Sequence, residues 1–333
     1  MQALVITPQE TAGVRFLADH PRPQPRGDDV LIRVRLAGIC ATDLEICRGY
    51  MKFAGIPGHE FVGLVEAGPA SLAGRRVVAE INCPCGRCEL CHRGLGNHCP
   101  QRTVLGIAGR DGAFAEYLIV PAANCHLVPD ALSDRQAVFV EPLAAAAHVL
   151  DELPPPEQAQ ALTGGSAPPR VAVLGSGRLG LLVAQVLARY PGELVVIGRD
   201  PRTLSLCRTW GIRTLAVDAL SPRPEYDAVV ECTGIPDGLR LALQLCRPRG
   251  LVVLKSTCAD PATLDLAPLV INEIRLVGNR CGQFPRALRL LADGVVHVDE
   301  LVTAVYPLPH GAQALVHAAR PGSLKVLLEP GAG

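Results

Sequence analysis

The sequence has few aromatic residues, little methionine and no net charge. Phe, Trp and Tyr make up 4% of its 333 residues and Met occurs twice, although 49% of the chain is hydrophobic. Packing must therefore rely on aliphatic side chains. Because basic and acidic residues number 32 each, the surface lacks the positive excess that binds nucleic acid or anionic membranes. We expect neither of these partners.

Long apolar runs are also missing. No stretch of about 18 apolar residues occurs, and the N-terminus lacks the basic start and apolar core of a secretory signal. We therefore expect a soluble, cytoplasmic protein. Its length suggests two domains, at ~100–200 residues each.

Cysteine, in contrast, is frequent, with 13 residues, five of them between positions 83 and 99. A secreted disulfide scaffold would be shorter and would carry a signal peptide. Clustered cysteines in a cytosolic protein more often hold metal, whereas isolated ones are small apolar residues. The isolated ones are Cys47, Cys125, Cys207, Cys232, Cys246, Cys258 and Cys281.

The pattern of hydrophobic residues changes along the chain. The first part contains short β-prone runs, among them "DDVLIRVRLAG", "FVGLVEAG" and "AFAEYLIVPA", which predict a barrel-like β domain. After a Pro-rich segment at 151–170, read as a linker or long loop, strand and helix patterns alternate. This alternation predicts a parallel sheet covered by helices, and hence an α/β chain.

A glycine motif follows the first strand of the second region. Gly175, Gly177 and Gly180 come after "VAVL" and open a helix with Arg178 and Leu179. Such glycines permit a tight turn, approach of a pyrophosphate and close helix–strand packing, and the helix N-terminus attracts phosphate. In this setting the motif predicts a dinucleotide site rather than a structural turn.

Two groups of residues could hold metal. The spacing of Cys85, Cys88, Cys91 and Cys99 on a polar, Gly-rich loop predicts a closed four-thiolate zinc site. His92 or His98 could replace one thiolate, and Cys83 would be spare. Four buried thiols are the alternative, which the polar loop disfavours.

The second group is dispersed: Cys40 in "GICATD", His59 and Glu60 in "GHEFVG", and Glu141 in "VEPLAAAAH". A thiolate, an imidazole and carboxylates are the mixed donors of an open catalytic zinc site. Each residue alone has an ordinary structural explanation, and spacing by itself does not join them.

Together, these motifs and "CGRCELCHRGLGNHC", "DGAFAEY" and "VLGSGRLGLLVAQ" resemble, in their order, the zinc-containing medium-chain dehydrogenase/reductases. The resemblance covers nearly the whole chain. It is nearer to the sorbitol, glucose and threonine dehydrogenase-like branch, because "EPLA" has Glu141 where liver alcohol dehydrogenases have a cysteine ligand.

The resemblance implies a GroES-like catalytic domain at 1–145 and 280–333, and a Rossmann domain at 146–279. It also implies a homodimer or homotetramer with two zinc ions per chain, which transfers a hydride between an alcohol or polyol and NAD(P). Cys40 and His59, with Glu60 or Glu141, would hold the catalytic zinc. We favour Glu141 in the resting enzyme.

Further roles follow from matching motifs. Thr42 would pass on the alcohol proton, and Asp43 would orient the zinc-bound histidine. Lys325 would lie near the pyrophosphate, and Thr233 is a further cofactor-binding candidate.

The cofactor choice depends on the end of the strand "ELVVIG". NAD-binding domains usually have an acid there, but this position is Gly198, followed by Arg199 and Asp200. A glycine leaves room for a 2′-phosphate and Arg199 could bind it, which favours NADP. In the alternative, Asp200 binds the ribose and NAD is preferred.

Competing interpretations remain for the function. They are a zinc-free reductase of activated double bonds on the same fold, a zinc-ribbon nucleic-acid binder, and a non-catalytic zinc- or dinucleotide-binding protein. The complete set Cys40, His59 and Glu141 disfavours the first and the last, and the zero net charge disfavours the second.

Overall fold

The computed structural model describes residues 1–7, 13–165, 167–257 and 263–331. The chain divides into two compact units, Met1–Glu141 with Phe284–Gly333, and Pro142–Gln283. Cys258, expected to be an ordinary thiol, lies outside the described residues. Within the described ranges, no helix is both long and apolar enough to cross a membrane.

The N-terminal part of the first unit consists mainly of short strands. Its elements are β1 Ala3–Val5, β2 Arg15–Leu17, β3 Asp29–Gly38, α1 Ala41–Cys47, β4 Glu60–Ala67, β5 Arg76–Ala79, β6 Asn82–Cys83, α2 Glu89–His92, β7 Thr103–Leu105, β8 Gly109–Arg110, β9 Tyr117–Pro121, β10 Cys125–Leu127 and α3 Asp134–Ala137. Helix α4, Val140–Ala147, starts in this unit and continues into the next.

The second unit alternates strands and helices. Its elements are β11 Arg170–Leu174, α5 Arg178–Leu187, β12 Glu193–Gly198, α6 Pro201–Thr209, β13 Arg213–Ala216, β14 Tyr226–Glu231, α7 Pro236–Leu245, β15 Cys246–Leu254, α8 Ala267–Ile271 and β16 Arg275–Gly278. The chain then returns to the first unit with α9 Phe284–Ala292, β17 Val302–Pro307, α10 Gly311–Ala318 and β18 Lys325–Glu329.

Short 3-10 helices occur between these elements. They span Tyr50–Lys52, Gly96–His98, Ala122–Asn124, His148–Asp151, Pro156–Thr163, Val217–Ala219, Asp299–Leu301 and Leu308–His310. One of them, Pro156–Thr163, lies in the Pro-rich segment that the sequence suggested as a linker or long loop, so part of that segment has regular structure.

The main sheet of the first unit has the order β10-β5-β4-β3-β18-β17, with β9 also paired to β3. Strand β3 lies inside this sheet, because it pairs with β4, β9 and β18. Its side chains Val30, Ile32 and Val34 are nearly fully buried in the core. The predicted alternation holds from Ile32 to Leu36, where Arg33 and Arg35 are exposed, but Leu31 and Ala37 are buried as well. The strand leads directly to Cys40.

The sheet of the second unit is parallel, with the order β13-β12-β11-β14-β15-β16. The predicted parallel sheet with crossover helices is confirmed. The edge strands β13 and β16 were not anticipated, because both are short and half exposed and thus lack a clear apolar run.

Candidate active site and metal centres

A buried carboxylate organises the dispersed candidate zinc ligands. Asp43, fully buried in the first turn of α1, accepts hydrogen bonds from the backbone N–H of Cys40 (2.8 Å) and from Nδ1 of His59 (3.1 Å). The second bond fixes the imidazole with Nε2 left for a metal, the arrangement expected for a histidine ligand.

Charge around His59 favours a cation. Burial lowers the pKa of His59, but the charge and hydrogen bond of Asp43, together with Cys40, outweigh it and raise the pKa well above its usual value. The site is therefore suited to positive charge beside the imidazole, whether that charge is a proton or a metal ion.

Glu60, the residue after His59, is buried and bonded to Lys325. The Lys325 ammonium donates to Oε2 of Glu60, and both side chains are nearly inaccessible. Gly38 makes this contact possible, because a Cβ at that position would overlap Glu60 Oε2. The contact gives Lys325 a place in the zinc site that the sequence did not indicate; its expected role at the pyrophosphate stays a prediction.

Glu141 lies in the first turn of α4, near the other carboxylates. Burial raises its pKa to about 7; His59 and Lys325 counteract this shift, and Glu60 adds to it. Thr42 occupies the first turn of α1, next to Asp43, and is partly exposed.

The donor atoms of Cys40, His59 and Glu60 all lie within 4.8 Å of one another. Thiolate, imidazole and carboxylate at this spacing, partly or fully buried, fit a zinc ion. Glu141 does not belong to this compact group. The structure thus brings together three of the four predicted donors, and the fourth, Glu141, is close enough for the charges of His59 and Glu60 to shift its pKa.

The four-cysteine cluster also has donor atoms at a spacing that fits a zinc ion. The sulfurs of Cys85, Cys88, Cys91 and Cys99 lie within 4.8 Å of one another, and three of the six S···S distances are 3.4–4.0 Å. A tetrahedron with Zn–S bonds of ~2.3 Å has edges of roughly 3.8 Å. The arrangement therefore fits a closed zinc site.

Hydrogen bonds in the loop favour a thiolate at Cys85, whereas burial and the neighbouring sulfurs raise the pKa of Cys91 to about 11. A hydrogen bond from the backbone N–H of Arg87 is the largest of several that lower the pKa of Cys85 to about 6. His92 and His98 are exposed and outside the four-sulfur group, so neither replaces a cysteine in this arrangement. Cys83 is buried and accepts a hydrogen bond from Asn124.

Five of the isolated cysteines lie outside this cluster and are partly or fully buried. Burial raises the pKa of Cys47, Cys125, Cys207, Cys232 and Cys246. They are therefore neutral thiols that pack like small apolar residues, as expected.

The glycine motif forms the turn from β11 to α5. Gly175 has a φ of +108°, and a Cβ on Gly180 would overlap the carbonyl oxygen of Gly175. Gly177, the N-cap of α5, has open space around the position of a Cβ. Two glycines thus serve the fold, and the third leaves the helix N-terminus accessible to an anion.

The end of β12 differs from the expectation in one respect. The space beside Gly198 is not empty, because a Cβ there would overlap Oγ of Ser176. The Ser176 hydroxyl lies 2.7 Å from that of Thr203, whose Oγ1 donates to the Asp200 carbonyl. Gly198 is therefore required by the packing of Ser176, which the sequence did not reveal.

The two residues after Gly198 have different surroundings. The Asp200 carboxylate caps α6 by accepting a hydrogen bond from the Arg202 backbone N–H (2.9 Å). It also forms an ion pair with the Arg202 guanidinium (3.1 Å). Arg199 is exposed, and no carboxylate in the described part of the chain pairs with it. Thr233 lies at the end of β14, where its N–H and hydroxyl donate to the buried Glu231.

Family models match both units. Residues 26–130 match the alcohol dehydrogenase GroES-like domain, and residues 179–293 match the zinc-binding dehydrogenase family. The chain is also 31% identical to the sorbitol dehydrogenase of Halalkalibacterium halodurans, over 99% of both chains. It belongs to the zinc-containing alcohol dehydrogenase family.

Solved structures agree with this assignment. A zinc-binding dehydrogenase of Sinorhizobium meliloti bound to NADP and an alcohol dehydrogenase of Escherichia coli complexed with NADH are each 26% identical to this dehydrogenase. The TM-scores are 0.83 and 0.84, with 99% of each chain covered. The predicted GroES-like and Rossmann domains are confirmed. The chain is a zinc-dependent oxidoreductase that transfers a hydride between an alcohol and NAD(P).

Proposed function

We propose that this dehydrogenase interconverts a polyol and its ketone or aldehyde, with NADP as the preferred cofactor. The observation that carries the proposal is the donor set Cys40, His59 and Glu60, assembled around the buried Asp43. The similarity to a sorbitol dehydrogenase over nearly the full length supports a polyol as the substrate.

Zinc bound there would supply Lewis-acid polarisation of the substrate oxygen, and the nicotinamide would supply the redox chemistry. The chain's own residues do the rest. Asp43 orients His59 and the start of α1. Thr42, one residue before Asp43, accepts the alcohol proton at its hydroxyl and passes it on.

The substrate class can be tested directly. We expect the purified enzyme to oxidise polyols with a kcat/KM at least about tenfold above that for ethanol or propan-2-ol, a difference of ~1.4 kcal/mol in transition-state binding. Each alcohol and each corresponding ketone is assayed with both cofactors. A preference for simple alcohols contradicts the polyol proposal, and turnover of activated double bonds alone contradicts the whole assignment.

For the third ligand we propose Glu141 in the resting enzyme. Oε2 of Glu60 is already bonded to the Lys325 ammonium, so this carboxylate is compensated within the protein. Glu60, whose carboxylate lies within 4.8 Å of the Cys40 and His59 donor atoms, would exchange with Glu141 during turnover. Glu141→Ala should therefore lose more zinc under chelator challenge than Glu60→Ala, and the opposite ranking contradicts the proposal.

We also propose a second, structural zinc in the Cys85–Cys99 loop, because a four-thiolate site has no open position for substrate. Elemental analysis of the purified protein should give two zinc ions per chain. A value of one that persists in Cys88→Ser would contradict this.

The NADP proposal depends on Arg199 and Asp200. The Asp200 carboxylate is already engaged by α6 and Arg202, whereas Arg199 is unpaired among the described residues. A guanidinium can bind a 2′-phosphate through charge-assisted hydrogen bonds.

Arg199→Ala should raise the KM for NADP(H) about tenfold or more and leave that for NAD(H) within about twofold, since one charge-assisted contact contributes ~1.5–3 kcal/mol. Arg202→Ala is the matched control, because this arginine pairs with Asp200. A wild-type enzyme that prefers NAD(H) would show that Asp200 governs the pocket.

The parallel sheet of the second unit has an open edge at β16 among the described strands. Strand β16 pairs with β15 and with no other described strand. Val270 and Ile271, just before it in α8, are each 77% exposed. An open edge beside exposed aliphatic residues favours pairing between copies. We propose a homodimer or homotetramer that uses this edge; Ile271→Glu should shift the sedimentation coefficient toward the monomer.

A further inference from the structure

Lys255 is a buried cation outside the zinc site. It directly follows β15 and is 8% exposed. Its Nζ donates to the carbonyl oxygen of Ala145 (2.7 Å) and to Oδ1 of Asn279 (2.6 Å). A buried ammonium is costly unless its donors are satisfied, so these bonds tie the end of β15 to two other segments of the same unit.

The first of these segments is helix α4. Ala145 lies near the carboxyl end of this helix, where unpaired carbonyl groups carry partial negative charge and a cation is stabilising. Glu141, in the first turn, is one helical turn before Ala145. Because hydrogen-bonded helical turns move together, a displacement of the Ala145 carbonyl would displace Glu141 too.

The second segment crosses the end of the same helix. The Asn279 amide donates to Oε1 of Glu152 (2.9 Å) and to the His148 carbonyl (3.3 Å). Nearby, Gly282 packs so closely that a Cβ would overlap the Ala144 carbonyl oxygen. The α4 carboxyl end is thus held by Lys255 directly and through Asn279.

The backbone of Lys255 lies at the carboxyl edge of the parallel sheet. Its backbone N–H donates to the Glu231 carbonyl (3.0 Å), and the next residue, Ser256, accepts at Oγ from the Gly234 N–H (2.7 Å). Ligands of open parallel sheets bind at the carboxyl ends of the strands. Lys255 therefore connects the carboxyl ends of β14 and β15 with the carboxyl end of α4.

We propose that Lys255 is a positioning residue for the dehydrogenase reaction: it holds the carboxyl end of helix α4 in place and, through this helix, the side chain of Glu141. The proposal rests on the proposed role of Glu141 as a zinc ligand. It assigns Lys255 no contact with substrate, cofactor or metal.

The test compares Lys255→Met with Lys255→Arg in the zinc-loaded enzyme. We expect Lys255→Met to lower kcat about 10- to 100-fold, since small displacements of catalytic groups have effects of this size. We also expect Lys255→Met to lose the zinc ion of the Cys40 site faster than the wild type under chelator challenge. Lys255→Arg should recover part of both properties, because a guanidinium can donate to the same two oxygens.

A matched control comes from the other end of the same strand. Arg247, in β15, pairs with the buried Asp227. Arg247→Met should lower the melting temperature while leaving zinc retention and kcat within about twofold, because its pair lies away from α4. If Lys255→Met fails to fold, Asn279→Ala takes its place and should show the same two effects more weakly.

The outcomes separate the two proposals. If Glu141→Ala retains zinc like the wild type, the ligand role of Glu141 fails, and the positioning role with it. If Glu141→Ala loses zinc but Lys255→Met keeps wild-type zinc retention and kcat, only the positioning role fails. The positioning role alone also fails if Lys255→Met and Arg247→Met change zinc retention, kcat and melting temperature in the same way.

Discussion

The two candidate zinc sites differ in how the chain brings their donors together. The closed site takes four thiolates from one loop of the first unit, Cys85 to Cys99, and backbone N–H groups of that loop stabilise negative charge on Cys85. The open site takes Cys40 from the end of a strand, His59 from the start of the next, and Glu60 beside it.

The two sites also differ in the groups that hold their donor residues in place. In the open site, buried charged side chains hold the donors: Asp43 holds Cys40 and His59, and Lys325 holds Glu60. A site supported by its own loop is expected to serve stability, whereas a site supported by buried charges can tolerate an exchangeable ligand. The following predictions test this distinction.

The largest expected effect is on turnover. Cys40→Ser should reduce kcat about a thousandfold or more, because Lewis-acid catalysis contributes several kcal/mol and each ~1.4 kcal/mol is a factor of ten. Steady-state kinetics measure the loss. Elemental analysis and the melting temperature are the controls, since the fold and the second zinc should remain. Wild-type activity in this variant would refute the catalytic assignment.

An intermediate effect is expected on stability. Cys88→Ser should destabilise the first unit by about 3 kcal/mol, because a structural zinc contributes folding free energy directly. For a unit of this size, that lowers the melting temperature by roughly 10 °C. Calorimetry measures the melting temperature. Steady-state kinetics of variant and wild type at low temperature measure kcat, which should stay near the wild-type value in the folded enzyme. A large fall in kcat without loss of stability would reverse the roles of the two sites.

The smallest effect concerns the support of the open site. Asp43→Asn should weaken zinc binding at Cys40 and His59 about 10- to 100-fold, as for other residues that orient a metal-bound histidine. Competition with a fluorescent chelator measures this affinity. The zinc of the four-cysteine loop is the internal control and should be unaffected. Equal weakening of both sites would indicate a general loss of structure instead.

The sequence by itself determined the parts that depend on local patterns. The period of two in β3, the alternation of strands and helices after residue 170, and the glycine turn at Gly175 each depend on neighbouring residues. The spacing of the four cysteines is equally local, since a short loop can close around one metal ion. The scattered ligands could be joined only through resemblance to a family, because their spacing carries no such constraint.

Only the tertiary structure decided which charges meet. Lys325 in β18 reaches Glu60 in β4 across the intervening strand β3, although the two residues are far apart in sequence. Ser176 fills the space at Gly198, and Lys255 reaches the carbonyl group of Ala145 near the end of α4, 110 residues away in sequence. Burial makes such contacts strong, because an ionic or polar side chain removed from water must find its partner within the fold. That partner is set by strand order and register, which no local pattern contains.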